Sequence, residues 1–375
     1  MPDTQTDSPS MDRRPVGVRT LNRSDLVIVL GGVIAIVAAG ITRYTHATAV
    51  LSFACSAVAV ALLAALVARS VEQMGDRFGP GATGVLQSAL GNLPELFISF
   101  FALRAGLLVV VQSAIIGSML ANLLFVLGLA FVVGGLKNGT QTFERARARE
   151  TSVLLVLATA ALVLPSMAQF THSPAAPHVR VLSDTVAVVL LIVFVLSLPA
   201  ALARRSGGGA SQAAQVAREP ELPRWPIWLA VGLLAVAGGA SALVSDWFVN
   251  ALQPAISTLH LSQTFAGLVV VAIAGNAIEN VVGIQLAFRN QADYALSVIV
   301  NSPLQIALLL APALVLLSLT TATTLTLVFA PMLVAAVVVT VVLVTLIVFD
   351  GESNWLEGSI LVGLYVIIAA VFWWG

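Results

Sequence analysis

GNLPELFISFFALRAGLLVVVQSAIIGSMLANLLFVLG, residues 91–128, sets a glutamate, Glu95, in apolar surroundings and follows it with a second apolar run carrying Gln112, Ser113, Ser118 and Asn122. A carboxylate inside a lipid-compatible stretch is costly, so it implies a partner or a function. The motif is duplicated. Gly91-Asn92-Leu93-Pro94-Glu95 returns 184 residues later as Gly275-Asn276-Ala277-Ile278-Glu279, and the same offset carries Ser113 onto Ser297, Ser118 onto Ser302 and Leu120 onto Leu304. Each half of the chain thus has an acidic motif on one apolar run and a serine-bearing polar stripe on the next. A neutral, hydrogen-bonded helix contact would account for one buried glutamate, but not for two copies with the same Gly-Asn prefix.

The rest of the chain fits a membrane. Of 375 residues, 59% are hydrophobic and 10% charged, and the mean hydropathy is +0.99. Soluble domains are nearer half apolar and a quarter charged, so the surplus must face lipid. Eighteen basic residues balance eighteen acidic ones, leaving no basic field to attract nucleic acid. The single cysteine, Cys55, excludes an internal disulfide, and His46, His172, His178 and His260 are scattered near loops, which does not suit a Cys/His transition-metal site.

Apolar runs between charged or Pro/Gly breaks predict eleven helices, at about 25–42, 48–69, 82–104, 107–135, 152–168, 181–203, 226–246, 263–288, 293–318, 325–349 and 355–374. Residues 1–24 read as a cytoplasmic tail before a retained helix, since no small-residue cleavage site precedes the next loop. With that tail inside, fifteen basic residues fall on cytoplasmic segments, and only Arg43, Arg104 and Arg180 on the other side. This is the asymmetry of the positive-inside rule. The expected fold class is an all-α polytopic membrane protein with the N-terminus in and the C-terminus out. Its expected parts are the tail 1–24, an extra helix 25–42, a first five-helix repeat 48–203, a Gly/Ser- and Pro-rich linker 204–224 and a second repeat 226–374. On this topology the first motif helix runs outward and the second inward. Inverted repeats around a midplane site are the architecture of secondary transporters.

The motif's chemistry follows from its residue types. Glycine loosens a helix and Pro94 removes a backbone donor, which predicts a broken helix with freed carbonyls turned to a cavity rather than to lipid. Asn92 and Asn276 lie three residues before each glutamate, on the same helical face. Glu95, Glu279, Asn92 and Asn276 are therefore the expected cation- and proton-binding residues, with the two glutamates as the direct ligands of the ion. Carboxylates, amide oxygens and carbonyls form an all-oxygen cage that suits a hard cation such as Ca²⁺. Gly91, Gly275, Ser118, Ser302, Gln305, Asn122, Gln112 and Asn280 are expected to line the cavity. For Ser113 and Ser297, cavity lining and plain helix packing both stand.

Residues 87–136 resemble the first acidic repeat of the Ca²⁺/H⁺ antiporter family in the cation/Ca²⁺ exchanger superfamily. Residues 269–312 resemble its second repeat, and DGESNWLEG at 350–358 resembles its final loop and helix. The resemblance implies an eleven-helix exchanger in the plasma membrane of a bacterium, in which the two motif glutamates alternate between Ca²⁺ and protons. Its partners would be Ca²⁺, H⁺ and membrane lipid, with no nucleic acid and no cofactor beyond Ca²⁺ as transported substrate. The chain departs from the family pattern at three places. Asn280 stands where the second repeat usually has histidine, a residue the family uses in ion or proton handling. Asn301-Ser302-Pro303-Leu304-Gln305 replaces Gly-Ser-Ala-Thr-Gln, and 204–224 contains only Glu219 and Glu221 where an acidic stretch is common.

Low dielectric favours the protonated carboxyl and a bound divalent cation favours the ionised one. Proton and cation therefore compete for one site, which suffices for exchange if only loaded or protonated forms switch access. No phosphate-binding Gly-x-x-x-x-Gly-Lys loop is present, so the expected driver is the proton gradient rather than ATP. Asn280 keeps a Na⁺ or K⁺/H⁺ antiporter of the same fold open as an alternative. An intramembrane hydrolase fits less well, because such enzymes use aspartates. A channel would need no symmetric carboxylate pair. No enzymatic activity is expected.

Overall fold

The computed structural model describes the backbone at residues 22–45, 47–78, 86–87, 89–206 and 224–374, with side chains there except at 75–78, 199–206 and 278–279. The helices are α1 (Arg23–Tyr44), α2 (Ala49–Phe78), α3 (Leu93–Arg104), α4 (Leu108–Asn138), α5 (Arg145–Phe170), α6 (Val179–Ser206), α7 (Ile227–Leu259), α8 (Gln263–Gly275), α9 (Ala277–Phe288), α10 (Ala292–Ser318), α11 (Pro331–Val348) and α12 (Trp355–Trp373). Among the described residues, nine helices are long and apolar enough to span a membrane, or ten if the bent pair α8–α9 is one span. The expected span 82–104 is described in its later part as the twelve-residue α3. Most of the tail 1–24 and of the linker 204–224 lies outside the described residues.

Side chains facing outward confirm the lipid-facing surplus. Val27, Ile34, Val195, Leu196, Val236 and Leu346 are each more than half exposed. The inner helices differ: α4 is buried over most of its length, so its apolar residues serve the core. α2 and α7 pack lengthwise on each other, with α1 along both. Phe53 lies against Phe248, and Tyr44 edge-on to Trp247.

Segments that the arginine count assigns to one side meet at one end. Asn138 Nδ2 and Gln141 Nε2 donate to Ala287 O at 3.3 and 3.0 Å. Glu144 N donates to Asp293 Oδ1 at 2.6 Å. Strand β1 (Gln141–Thr142) pairs antiparallel with β2 (Glu352–Ser353). Asp25, Arg69 and Trp225 also meet: Arg69 Nε and Trp225 Nε1 donate to the Asp25 carboxylate at 3.0 and 3.1 Å. Asp25 is only 2% exposed. It is a buried carboxylate in the first turn of α1, where it also closes a capping box with Asn22.

The span 48–69 continues to Phe78, and two further predicted helices need correction. The span 226–246 continues to Leu259, because Trp247, Phe248, Val249 and Leu252 are buried and hold the chain helical past the expected turn. The span 325–349 begins only at Pro331, since a residue before proline is steered out of the helical region. Residues 325–329 run extended, with Leu325, Leu327 and Phe329 buried. Their backbone groups are satisfied by side chains from other elements. Leu325 N, Leu327 N and Phe329 N donate to Ser318, Ser183 and Ser166 Oγ at 2.9, 3.0 and 2.9 Å. Gln112 Nε2 donates to Thr326 O and Val328 O at 3.1 and 2.8 Å.

Candidate functional site

Both motifs break their helix at the asparagine. Asn92 (φ −92°, ψ 16°) precedes α3 and Asn276 (φ −95°, ψ 9°) separates α8 from α9. The two are equivalent under the 184-residue offset and share one backbone conformation. Across the second break the helix axes turn by 63°. At that break Asn276 closes the last turn of α8 on Ala272 O twice, through its backbone N at 3.2 Å and its Nδ2 at 2.9 Å.

Asn276 is the hub of the site. Its Nδ2 also donates to Glu95 Oε1 and, at 3.0 Å, to Ser118 Oγ. Its Oδ1 accepts from Asn122 Nδ2 at 2.9 Å and from Ser302 Oγ at 3.3 Å. Ser118 Oγ donates to Glu95 Oε1 at 3.3 Å. Glu95, Asn276, Ser118, Asn122 and Ser302 are all buried, at 0–7% exposure. One carboxylate, two amides and two hydroxyls from α3, α4, α8–α9 and α10 thus form one network away from water. Asn92 Nδ2 makes a second cross-link, to Gln305 Oε1 at 3.3 Å.

Backbone geometry brings these helices close enough. A Cβ at Gly275 would stand 2.6 Å from Glu95 Cγ and 3.0 Å from Oε1, so the carboxylate lies directly on the bare Cα. Where α4 crosses α8, a Cβ at Gly117 would fall inside the backbone of Leu268, and one at Gly267 against Val110 O and Ser113 Cβ. Short π-helical segments follow each stripe, at Ala121–Val126 and Ile306–Leu310, and the 184-residue offset overlays them. Such insertions re-aim side chains and recur at functional sites. A small cleft opens beside Glu95, Ser99 and Ser118, with Ile98, Ala114 and Ile115 on its walls.

The expected residues mostly assemble. Glu95, Asn276, Ser118, Asn122 and Ser302 share the network, and Asn92 and Gln305 join across it. Glu279 lies in the first turn of α9, with its side chain outside the described residues. Asn280 is buried on the same helix, and among the described residues its Oδ1, like that of Asn122, has no hydrogen-bond partner. Gly275 contacts Glu95, whereas Gly91 lies against the preceding turn, where a Cβ would meet Gln87. Gln112 is a correction: its amide is committed to the extended 325–329 segment and is not part of the Glu95 network. Ser113 packs on Gly267, which favours helix packing for it, while Ser297 accepts from Asn301 Nδ2 at 3.2 Å. Nothing in the two motifs marks Asn276 rather than Asn92 as the hub, because they look alike there.

Comparison with known proteins follows the same division. The family model described as sodium/calcium exchanger protein matches residues 48–203 and again 229–374. A protein named Ca(2+)/H(+) antiporter from Aphanothece halophytica is 33% identical over 342 residues, covering 88% of this chain and 92% of that one. The Ca(2+)/H(+) antiporter ChaA of Bacillus subtilis is 35% identical, covering 94% and 99%. Among solved structures, native YfkE superposes with a TM-score of 0.77 at 32% identity, covering 92% of this chain and 99% of that one.

Proposed function

The chain belongs to the sodium/calcium exchanger protein family, and from that premise we propose that it is a Ca²⁺/H⁺ antiporter whose buried glutamates, Glu95 and Glu279, take Ca²⁺ and protons in alternation. The observation that carries the reading is the buried network in which Glu95 meets Asn276, Ser118, Asn122 and Ser302. It is all-oxygen in its acceptors and spans both motif helices, as a hard cation requires. The buried Oδ1 atoms of Asn122 and Asn280 are acceptors that a cation would satisfy, and a buried acceptor left unmet is costly. Asn92, Asn276 and Gln305 position the broken helices; Ser118 and Ser302 hold the carboxylate and the hub amide in place.

In the exchange cycle, ionised carboxylates hold Ca²⁺. Protonation removes their charge and releases the ion, and the neutral form returns. Nothing is chemically transformed, and Ca²⁺ is substrate rather than cofactor. The two matched segments 48–203 and 229–374 act as inverted five-helix repeats, with α1 as an added helix. The N-terminus is cytoplasmic, the C-terminus is outside and the membrane is a bacterial plasma membrane; the arginine asymmetry and the meeting of like-sided segments support this orientation.

The test is exchange by purified protein in vesicles carrying an imposed pH gradient. Added Ca²⁺ should dissipate the gradient saturably. Because Asn280 replaces the family's usual histidine, Na⁺ and K⁺ are run as parallel arms. Dissipation by Na⁺ or K⁺ but not by Ca²⁺ would replace the calcium reading with a monovalent one.

A further inference from the structure

The first fourteen residues of α10 form regular helix from Ala292 to Gln305. Within them Asp293, Ser297, Asn301 and Gln305 follow one another at intervals of four, so they lie on one face. All four are half-buried rather than buried or fully exposed. Twelve residues at about 1.5 Å each span about 18 Å, roughly half the hydrocarbon thickness of a bilayer. One end of this face is at the network, where Gln305 accepts from Asn92. Midway, Asn301 Nδ2 donates to Ser297 Oγ at 3.2 Å. The other end opens into a second, small cleft, where Glu144, Arg147, Thr151, Ser152, Asp293 and Ser297 sit beside apolar Leu296, Val300 and Val348. Ser152 on its wall is only 4% exposed.

The face has no counterpart in the other half. The offset of 184 maps it onto Val109, Ser113, Gly117 and Ala121 of α4. Ser113 and Gly117 are closed off there by the crossing with α8, Ala121 is fully buried, and Val109 is largely exposed. The cleft beside Glu95 and the one at Asp293 both have mostly apolar walls, so the difference between the halves lies in the helix face itself. Among the described residues, the equivalent positions of the first half therefore carry no such polar, half-buried file.

We propose that the Asp293–Ser297–Asn301–Gln305 face is the path by which a hydrated cation reaches the buried site from the end bearing Glu144 and Arg147, and that Ser297 and Asn301 replace part of its water along the way. Asp293, paired through Oδ1 with Glu144 N, gives the mouth a negative group, and Arg147, 3.9 Å from Glu144, offsets it. This rests on the antiporter reading for the identity of the ion, but the path is testable without transport.

In a Cys55→Ser background, single cysteines are placed at 297 and 301, with Val109→Cys and Gly363→Cys as comparisons. The full-length protein in oriented vesicles is then treated with a membrane-impermeant, charged thiol reagent while Ca²⁺ and a pH gradient drive turnover. Cysteines at 297 and 301 should react from the side of the α5 N-terminus, at least ten times faster than at 109 or 363. Ser297→Leu should lower the maximal Ca²⁺ flux at least tenfold, and Ser297→Thr should restore it. Unreactive cysteines at 297 and 301, or reaction only from the opposite side, would overturn the path. If Ca²⁺ flux is absent in the unmodified protein while both cysteines react as described, the path stands and the choice of ion falls.

Discussion

Replacing Gly275 with alanine tests whether Glu95 is held as described. The new Cβ would stand 2.6 Å from Glu95 Cγ and 3.0 Å from Oε1, where ordinary contact needs about 3.6 Å, close to the optimal carbon–carbon separation. The carboxylate must shift by about 1 Å, which breaks or distorts its bonds from Asn276 and Ser118. A hydrogen bond to a charged group is worth about 1.5–3 kcal/mol, and each 1.4 kcal/mol is tenfold in affinity. The Ca²⁺ concentration for half-maximal exchange should therefore rise about 10- to 100-fold. The fold itself should not suffer, because alanine is the better helix former by about 1 kcal/mol and Gly275 is not among the positive-φ glycines. Reconstituted Gly275→Ala protein, with Gly363→Ala as a control where a Cβ meets nothing within 4 Å, is assayed for Ca²⁺-dependent proton flux and for melting temperature. Wild-type affinity in a normally folded Gly275→Ala protein would refute the placement of Glu95 against Asn276.

Other consequences follow from the same geometry. Ser118→Ala removes a bond to the Glu95 carboxylate and should weaken apparent Ca²⁺ affinity about 10- to 100-fold, for a loss of about 1.5–3 kcal/mol, whereas Ser113→Ala, on the Gly267 contact, should leave affinity unchanged; flux titrations compare them. Gly117→Val drives a side chain into the Leu268 backbone and should cost at least about 1–3 kcal/mol by overpacking, read as a lower melting temperature in detergent. Asp25→Ala strands Arg69; the loss should lie near the low end of about 3–5 kcal/mol, because Glu72 still accepts from Arg69 at 2.8 Å, and a thermal melt checks it. If protons and Ca²⁺ compete, lowering the pH should raise the Ca²⁺ needed for half-saturation without lowering the amount bound at saturation, as equilibrium binding at several pH values would show.

The legible part of the fold was the part written in bulk hydrophobicity. Lipid leaves a helix no alternative for its backbone groups, so apolar runs mark spans, and arginines mark which loops share an end. What escaped the reading depended on tertiary partners. The extended run Leu325–Phe329 is as apolar as a helix. Only Ser166, Ser183, Ser318 and Gln112, supplied by other elements, make its extended backbone affordable, and none of them is near it in sequence except Ser318. The continuation of α7 past residue 246 likewise depends on burial of Trp247 and Phe248 against neighbours. At the site, the duplicated motif announced Glu95 and the asparagines, because a buried carboxylate is conspicuous in an apolar run. The asymmetry was silent: equivalent asparagines carry unequal roles, Asn276 bonding Glu95 and Asn92 bonding Gln305, and the difference arises from neighbours that the offset does not match, Asn122 opposite Ile306 and Gln305 opposite Ala121. The π-helical segments left no trace either, since Ala121–Val126 and Ile306–Leu310 read as ordinary apolar helix.

Proton release on Ca²⁺ binding tests most directly whether ion and proton share these carboxylates. Purified protein in weakly buffered detergent solution, near neutral pH, is titrated with Ca²⁺ while the pH is followed. The wild-type chain should release protons in proportion to Ca²⁺ bound and saturate with it, and Glu95→Gln should release fewer protons and bind Ca²⁺ far more weakly. Equal proton release and equal binding by Glu95→Gln would contradict the account.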